Sequence, residues 1–559
     1  MERLLIPPPG SWPQENVVPP LISRNLYLED PVLRAALARY GAAWAEERLV
    51  REGSLMADPH LCACARDADL FPPRLERHDG CGRRVDRVLF HPSWHTLLAS
   101  CVQAGLQAVA WTEERTGVQV ARAASYFLHG RVDAASLCPT TMTYAAVPLL
   151  RREADLWVAV GRALVGAEYD PSERPLRVKS SGLVGMGLTE IQGGSDLRQI
   201  TTRAVAVSPA DGESLHRLTG RKWFLSAPQS DAHLVLARDA RDRFGCYYVP
   251  RILPDGSRNA VFLERLKEKA GNRANATAEA VLDGAWGYRL GEPGRGLALL
   301  MEMAGTTRLD NVLGSSALLR QGVGEAIHCA LRRHAFGRRL IDQPLMLVVL
   351  ADLALESAAA TCLSLALARR VEGHDPLDTV AGRLLVPAAK FWVCKRAVAA
   401  LAECAEVLGG NGYVEESVLA RFYREAPVNS IWEGSGNVVC LDLLRGLRTY
   451  PEESRAFFAD LERRAGNDPL LSRAARGLAP LAGEAAAAPW QARALAARLV
   501  LVAQAIELQG ILGGRLCAPF VASRLGQDGW GAVTGLMPGT VDALGILEAV
   551  MTNEEETLS

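Results

Sequence analysis

The spacing of apolar residues changes character along the chain. Up to residue 182, apolar residues recur three and four positions apart between proline-rich breaks, as in HTLLASCVQAGLQAVAWTEE and QVARAASYFLHGRVDAA, which predicts amphipathic helices. After about residue 185 the runs become short and β-rich, as in TTRAVAV, KWFLSA, AHLVLAR, CYYVPRIL and NAVFLERL, which predicts strands. From GRGLALLMEMAG onward the helical spacing returns.

These changes predict four domains: an N-terminal helical domain, a middle β-domain, a helical bundle and an extra C-terminal helical domain, at 1–182, 183–292, 293–446 and 447–559. One predicted bundle helix, AAKFWVCKRAVAALAECAEVLGG, should end near Gly409 and Gly410, because glycine commonly terminates helices. The apolar run PLMLVVLADLALESAAATCLSLALA carries Asp352 and Glu356, which favours a buried helix over a membrane span.

Composition and charge exclude several classes of function. The 559 residues are 49% hydrophobic with a net charge of −1, so the chain has no general attraction to nucleic acid or anionic membranes. The N-terminus has no basic segment followed by an apolar one, and the 12 cysteines are scattered; both features predict a cytoplasmic protein with reduced thiols. His60, Cys62, Cys64 and Cys81 have poor spacing for zinc, so no metal site is predicted.

One carboxylate stands out in the stretch VNSIWEGSGNVVCLDLLRG. Glu433 lies between the apolar pair Ile431 and Trp432 and a Gly-Ser-Gly turn, and Ser435 can cap the helix that follows. Apolar neighbours would desolvate this carboxylate and make it a stronger base, as a weak carbon acid requires. The alternative is that Glu433 only interacts favourably with the helix N-terminus.

Three further stretches each allow two interpretations. GLVGMGLTEIQGGSD contains a Gly-Gly-Ser-Asp turn that could direct backbone N–H groups at a phosphate or a heteroaromatic ring, or could be a polar loop. The Trp-Phe pair of RKWFLSA could stack on a planar cofactor or belong to a β-core. The arginines of RRHAFGRRLIDQPL could bind phosphates or form a solvated helix face.

The order of these stretches resembles the acyl-CoA dehydrogenase family from about residue 100 to 446. GLTEIQGGSD is similar to the family's flavin-binding signature, GRKWFLSA to the strand whose hydroxyl faces flavin N5, and LKEKAGNR to its Lys-x-Gly-x-Arg segment. RHAFG with Gln343 resembles the element that reaches the flavin of a neighbouring subunit, EVLGGNGY its glycine loop, and IWEGSGN the segment with the catalytic base. NLYLED, SLCPTTMT and the extra C-terminal segment resemble the AidB-like subgroup, adaptive-response flavoproteins of bacterial alkylation resistance.

The resemblance implies an α+β, acyl-CoA dehydrogenase-like fold: an N-terminal helical domain, a middle β-barrel, a C-terminal four-helix bundle and an extra C-terminal helical domain. It implies FAD between the β-domain and the bundle, in a homotetramer. The implied substrate contacts are Thr189 and Trp432. The implied FAD contacts are Met186, Gly187, Leu188, Thr189, Glu190, Gln192, Gly193, Gly194, Ser195, Phe224, Leu225, Ser226, Arg333, Phe336, Gln343, Gly409, Gly410, Ile431, Trp432, Gly434, Ser435, Gly436 and Asn437.

The implied reaction is the oxidation of an acyl thioester to a trans-2-enoyl thioester. Glu433 would remove the pro-R α-proton while the β-hydride passes to flavin N5. Hydrogen bonds to the thioester carbonyl would stabilise the developing enolate. Trp432 is a bulky ring beside the base and would narrow the acyl pocket. The acyl chain and the electron acceptor are not specified by these motifs.

Two alternatives to an efficient dehydrogenase follow from the same resemblance. One is a flavoprotein that binds and protects DNA through the C-terminal domain, yet residues 451–559 hold nine arginines, no lysine and thirteen carboxylates, a net charge of −4, and phosphate binding needs clustered positive charge. The other is a flavin oxidase, and nitroalkane oxidases of this fold place an Asp where Glu433 stands. The glutamate therefore favours a dehydrogenase.

Overall fold

The computed structural model describes residues 16–207, 214–526, 534–537 and 541–551. The first domain is mainly helical, as predicted, but it also contains a two-stranded hairpin that the helical spacing did not predict. The Asp79-Gly80 pair at its turn was the available sequence signal. Its elements are α1 (Pro31–Arg39), α2 (Glu46–Met56), α3 (Pro59–Leu70), β1 (Arg74–His78), β2 (Arg84–Leu89), α4 (Pro92–Gln103), α5 (Val109–Thr112), α6 (Val118–Gly130), α7 (Leu137–Leu150) and α8 (Ala154–Leu164).

A seven-stranded, barrel-like sheet follows. Its strands are β3 (Val184–Gly187), β4 (Arg203–Ala206), β5 (Leu215–Ser226), β6 (Ala232–Arg238), β7 (Phe244–Pro250), β8 (Val261–Leu266) and β9 (Thr277–Leu290). The order of hydrogen-bonded strands across the sheet is β3-β5-β4-β6-β7-β9-β8, with additional pairings between β3 and β6 and between β5 and β9. The sequence analysis missed β9, although it pairs with three other strands, because its alanines and glycines lack a β-rich pattern.

The helical bundle is built around a 37-residue helix, which packs against the next two long helices. The second of these ends at Val407, and Gly409 follows in a left-handed conformation at φ 63°, as predicted for the double glycine. The elements are α9 (Gly296–Arg332), β10 (His334–Ala335), β11 (Arg338–Arg339), α10 (Pro344–Arg370), α11 (Asp378–Val407), α12 (Val418–Asn429) and α13 (Gly436–Thr449).

The extra C-terminal helices share one apolar core with the bundle. Their central helix, α17, packs against α10 and α11, and its Leu495, Leu499 and Val502 are fully buried. A truncation at residue 446 would therefore uncover the bundle's own core. The helices are α14 (Pro451–Ala465), α15 (Pro469–Arg476), α16 (Leu478–Ala487), α17 (Ala492–Leu512), α18 (Gly514–Leu525) and α19 (Ala543–Val550).

Two stretches of the described chain, Pro344–Arg370 and Pro489–Leu512, are long and apolar enough to cross a membrane by length and composition alone. Within the most apolar part of each, 72% and 67% of residues are buried inside the fold. The first contains the run predicted as a buried helix, and its Asp352 and Glu356 are buried too, within ion-pair distance of Arg524.

Candidate active site

The β-domain brings three of the motifs together by strand register. Met186 on β3 lies opposite Ser226 on β5, and Ser226 lies opposite Thr277 on β9. The Trp223 N–H donates to the Thr189 carbonyl at 2.9 Å. The sheet therefore aligns the glycine-rich signature beside the Trp-Phe strand, although the two stretches lie far apart in the sequence.

Glu190 holds the signature turn in shape. Its buried carboxylate accepts hydrogen bonds from Lys222 Nζ at 2.8 Å, from the Thr201 N–H at 2.7 Å and from the Thr202 hydroxyl and N–H. Burial alone would raise the pKa of Glu190, but Lys222 and these donors lower it to about 2. The side chain is thus fully engaged within its own domain, and any FAD contact by Glu190 remains a prediction.

The rest of the signature borders a partly apolar surface. Ile191 is 74% exposed and Phe224 is 46% exposed, so Phe224 does not belong to the β-core. Leu188 and Thr189 are half-buried, Gln192, Gly194 and Ser195 are exposed, and Met186, Gly187, Gly193 and Leu225 are buried. Lys267 Nζ lies 3.3 Å from the centre of the Trp223 ring, so this Trp is covered by a cation.

Lys269 belongs to the segment through which the β-domain meets the helical bundle, where Asn272 donates to Glu425 on α12 at 3.0 Å. The Lys269 Nζ donates to the Asn275 carbonyl at 2.5 Å and to Thr277 Oγ1 at 3.1 Å, next to Ser226 in the sheet. Burial lowers the pKa of Lys269 to about 8, although the Cys138 thiol acts in the opposite direction. Burial, opposed by Lys269 and assisted by Glu433, raises the pKa of Cys138 to about 12. Glu433 follows the C-terminal end of α12.

Glu433 lies in a loop with an unusual backbone between α12 and α13. Its φ is +56° and that of Gly434 is +102°, two consecutive left-handed residues of which only the glycine is free of steric cost. Among the residues that the structure describes, the Glu433 carboxylate forms no ion pair or hydrogen bond. Ser435 is the residue before α13, as predicted, but its hydroxyl makes no capping bond.

Two buried cations hold this loop by its carbonyl oxygens. Arg308 on α9 donates to the Glu433 carbonyl at 2.9 Å and pairs with Asp442 at 2.5 Å. Lys390 on α11 donates to the Gly434 carbonyl at 2.8 Å. Neither residue was among those predicted; a single Lys and a single Arg within apolar helical runs were the available signals.

The remaining loop residues lie close to the base. Trp432 is half-buried and its Nε1 donates to Asn429 Oδ1 at 3.1 Å. Ile431 is 63% exposed, and Asn437 is also exposed. Gly436 faces α11, where an added Cβ would sit 2.9 Å from Cε at the flexible end of the Lys395 side chain.

The Arg-x-x-Phe-Gly element forms a separate hairpin, β10–β11. Arg333 donates to the Asn16 carbonyl at 2.5 Å, Gln343 donates to the Ala335 carbonyl at 2.9 Å, and Phe336 at the tip is 97% exposed with a φ of +52°. Gly409 and Gly410 are exposed as well. An aromatic side chain so exposed on a strained backbone is typical of a contact with another molecule.

The surface around Ser226 fits a flat ring with a polar edge. Phe224 and Ile191 supply exposed apolar area, while the exposed Ser195 hydroxyl and Gly194 leave hydrogen-bonding groups and space beside it. These features agree with an isoalloxazine ring and its phosphate-bearing tail. Within the described ranges no group of three His, Cys, Asp or Glu side chains is arranged to hold a metal ion.

Three family models match the chain in order along the sequence. Residues 16–171 match the N-terminal domain of the adaptive response protein AidB, residues 185–285 match the middle domain of acyl-CoA dehydrogenases, and residues 294–448 match the acyl-CoA dehydrogenase C-terminal domain.

Individual proteins give the same result. The chain is 46% identical to the putative acyl-CoA dehydrogenase AidB of Escherichia coli K12, over 82% of this chain and 84% of that protein. It is 30% identical to acyl-CoA dehydrogenase family member 11 of Caenorhabditis elegans, over 79% and 74% of the two chains. The crystal structure of C. elegans ACDH-11 in complex with C11-CoA superposes with a TM-score of 0.83 at 25% identity, covering 91% and 92%.

Proposed function

Since the chain belongs to the acyl-CoA dehydrogenase family, in its AidB-like subgroup, it is an FAD-dependent oxidoreductase that acts on a CH–CH group, and we propose that Glu433 is its catalytic base. The proposed reaction removes the α-proton of an acyl thioester and yields the 2-enoyl thioester. The observation that supports it is the Glu433 carboxylate, which has no ion-pair or hydrogen-bond partner among the described residues and lies in a loop held by its backbone.

FAD would be held by the exposed part of the signature and by the strand beside it. Ser195, Phe224 and Ser226 are suitably placed for the ring, and the loop at Gly434 for the far end of the cofactor. Bound FAD supplies the acceptor for the two electrons that leave with the β-hydrogen. The chain's own residues orient the thioester, exclude water and take up the α-proton.

The proton transfer depends on what surrounds Glu433. The Glu433 carboxylate has no described ion-pair or hydrogen-bond partner to be displaced before it accepts a proton, and the half-buried Trp432 is its neighbour in the chain. After the transfer Glu433 is neutral, which a junction lined by Cys138 and Trp432 accommodates at low cost. Trp432 is also expected to limit the width of the acyl chain.

The test is an anaerobic titration of the purified, FAD-loaded protein with saturated acyl-CoAs. The panel includes undecanoyl-CoA, because the C. elegans ACDH-11 structure was solved with C11-CoA. We expect one class of chain length to bleach the flavin absorbance, and mass spectrometry to find the 2-enoyl product. A flavin that no acyl-CoA reduces would contradict the proposed reaction, and a chain that cannot be loaded with FAD would contradict the proposed site.

For the oligomer, we propose a homotetramer in which the hairpin carrying Arg333 and Phe336 meets the FAD of a neighbouring subunit. The exposure of Phe336 supports this arrangement. Sedimentation of the holoprotein and of Phe336→Ser would test it, with a weaker assembly and faster FAD loss expected for the variant.

The DNA-protecting alternative is not favoured by the contacts of the C-terminal domain. Five of its nine arginines, Arg455, Arg463, Arg464, Arg515 and Arg524, pair with carboxylates within the fold. The carboxylate beside each of these arginines offsets the local positive charge that phosphate binding needs.

We therefore expect the full chain to show no duplex DNA binding beyond the weak level of a near-neutral protein. Fluorescence anisotropy with a labelled duplex at 50 and 200 mM salt measures this. Tight binding at 50 mM salt that falls by about 10³ or more at 200 mM would reveal many phosphate contacts and would support the DNA-protecting function instead.

A further inference from the structure

Lys390 is a buried lysine whose described contact is with the backbone of the catalytic loop. It is 1% exposed within α11, and its Nζ donates to the Gly434 carbonyl at 2.8 Å. We infer, on the basis of the proposed function, that Lys390 is a positioning residue that fixes the direction of the Glu433 side chain.

The positioning role of Lys390 follows from the backbone conformation of the loop at Glu433 and Gly434. Glu433 and Gly434 are both left-handed, and a non-glycine residue in that region costs about 1–3 kcal/mol unless its surroundings hold it there. The Glu433 carbonyl is held by Arg308 and the Gly434 carbonyl by Lys390, from two different helices. Arg308 orients the peptide that joins Glu433 to Gly434, and Lys390 orients the next peptide, which joins Gly434 to Ser435. Together the two bonds hold the left-handed backbone from which the Glu433 side chain extends, and therefore the direction of that side chain.

The two cations differ in their partners. Arg308 has Asp442 as a carboxylate partner at 2.5 Å, whereas no described carboxylate lies within ion-pair distance of Lys390. Burial lowers the pKa of Lys390, and Cys394 and Glu433 oppose that effect. The described hydrogen bond of Lys390 is the one to the Gly434 carbonyl, so its contact is with the loop.

Proton removal can be measured apart from the redox reaction. A 3-thia-acyl-CoA retains an acidic α-CH₂ but has sulfur in place of the β-carbon, so no β-hydrogen can leave. Exchange of its α-protons in D₂O, followed by mass spectrometry with the FAD-loaded protein, reports the base alone. The wild-type chain must exchange and Glu433→Gln must not; failure of this first comparison would contradict the proposed function rather than the role of Lys390.

Two variants separate the hydrogen bond from the charge. Lys390→Met removes both, and we expect it to slow exchange by about 10- to 100-fold, because small displacements of a catalytic group have effects of this size. Lys390→Gln retains a donor for the Gly434 carbonyl, so its maximal rate should stay closer to that of the wild type.

Lys395→Met is the matched control. Lys395 lies on the same helix and beside the same loop, but it is exposed and donates no described bond to a loop carbonyl. It should leave the exchange rate unchanged. Exchange by Lys390→Met within threefold of the wild type would overturn the inference. If Lys390→Met does not fold, exchange by Lys390→Gln that is slowed more than tenfold overturns it equally, because the retained donor should preserve the maximal rate.

Discussion

Replacing Glu433 by glutamine is expected to slow α-proton removal by about a thousandfold or more while leaving the protein folded and loaded with FAD. A glutamine side chain cannot accept the proton, and positioned general bases contribute about 10²–10⁴ to rate. The fold should tolerate the change because the hydrogen bonds that anchor this loop use the carbonyl oxygens of residues 433 and 434. Glutamine retains these atoms and nearly the same side-chain volume.

Two measurements check this result. The first is the rate of flavin reduction under anaerobic conditions with the best acyl-CoA of the panel, and the second is α-proton exchange in D₂O. Glu416→Gln is the control, since Glu416 is an exposed glutamate in the same domain. Loss of reduction together with retained proton exchange would show that another group is the base. Loss of bound FAD would show instead that the substitution damaged the cofactor site.

The sequence predicted the fold well where one periodicity persisted over many residues. The α, β, α order and the end of α11 at its double glycine are confirmed. The elements that were missed depend on tertiary context. β9 is rich in alanine and glycine, which have little strand preference, yet it becomes a central strand because β5, β7 and β8 satisfy its backbone groups. The β1–β2 hairpin is too short to show periodicity.

The residues of the candidate site were likewise predicted from the sequence only in part. Motif order located Glu433, Ser226 and the glycine turn, because each belongs to a short contiguous segment. Arg308 and Lys390 bind the loop carbonyls from 125 and 44 residues away in the sequence, and Lys269 acts on Cys138 by its charge across 131 residues. Backbone carbonyls carry no residue identity, so no sequence pattern marks their partners. Only the packing of α9 and α11 against the loop reveals them.

The buried pair formed by Lys222 and Glu190 supports the second large prediction. Lys222→Met is expected to lower the free energy of unfolding by about 3–5 kcal/mol, because it leaves a carboxylate buried without its cation. FAD should also dissociate more readily, since Glu190 organises the turn from Gln192 to Thr202 through its bonds to Thr201 and Thr202. Urea unfolding and the FAD content after gel filtration measure the two effects.

A matched surface pair and a double variant sharpen the test. Arg203 and Asp242 pair at 2.7 Å in the same β-domain, but both side chains are more than half exposed, so Arg203→Met should cost less than about 1 kcal/mol. Adding Glu190→Gln to Lys222→Met should restore part of the lost stability, because it removes the buried charge. The single amide oxygen can still accept from one of the Thr201 and Thr202 N–H groups, which bind different oxygens of Glu190. Equal losses of unfolding free energy in Lys222→Met and Arg203→Met would contradict the role assigned to the buried pair.

The pairing of Lys222 with Glu190 also predicts how the stability of the protein depends on pH at low pH. In the folded protein Lys222 and the hydrogen-bond donors lower the pKa of Glu190 to about 2, whereas an unfolded glutamate titrates near 4.3. A lowered pKa in the folded state adds stability above pH 4.3 that disappears as pH falls toward 2, on the order of 3 kcal/mol. Lys222→Met should reduce this acid dependence, because it removes the largest of the interactions that favour the ionised carboxylate. Unfolding free energies at pH 5 and pH 3 should therefore differ less in the variant than in the wild type, and an unchanged difference would show that Lys222 does not set the ionisation of Glu190.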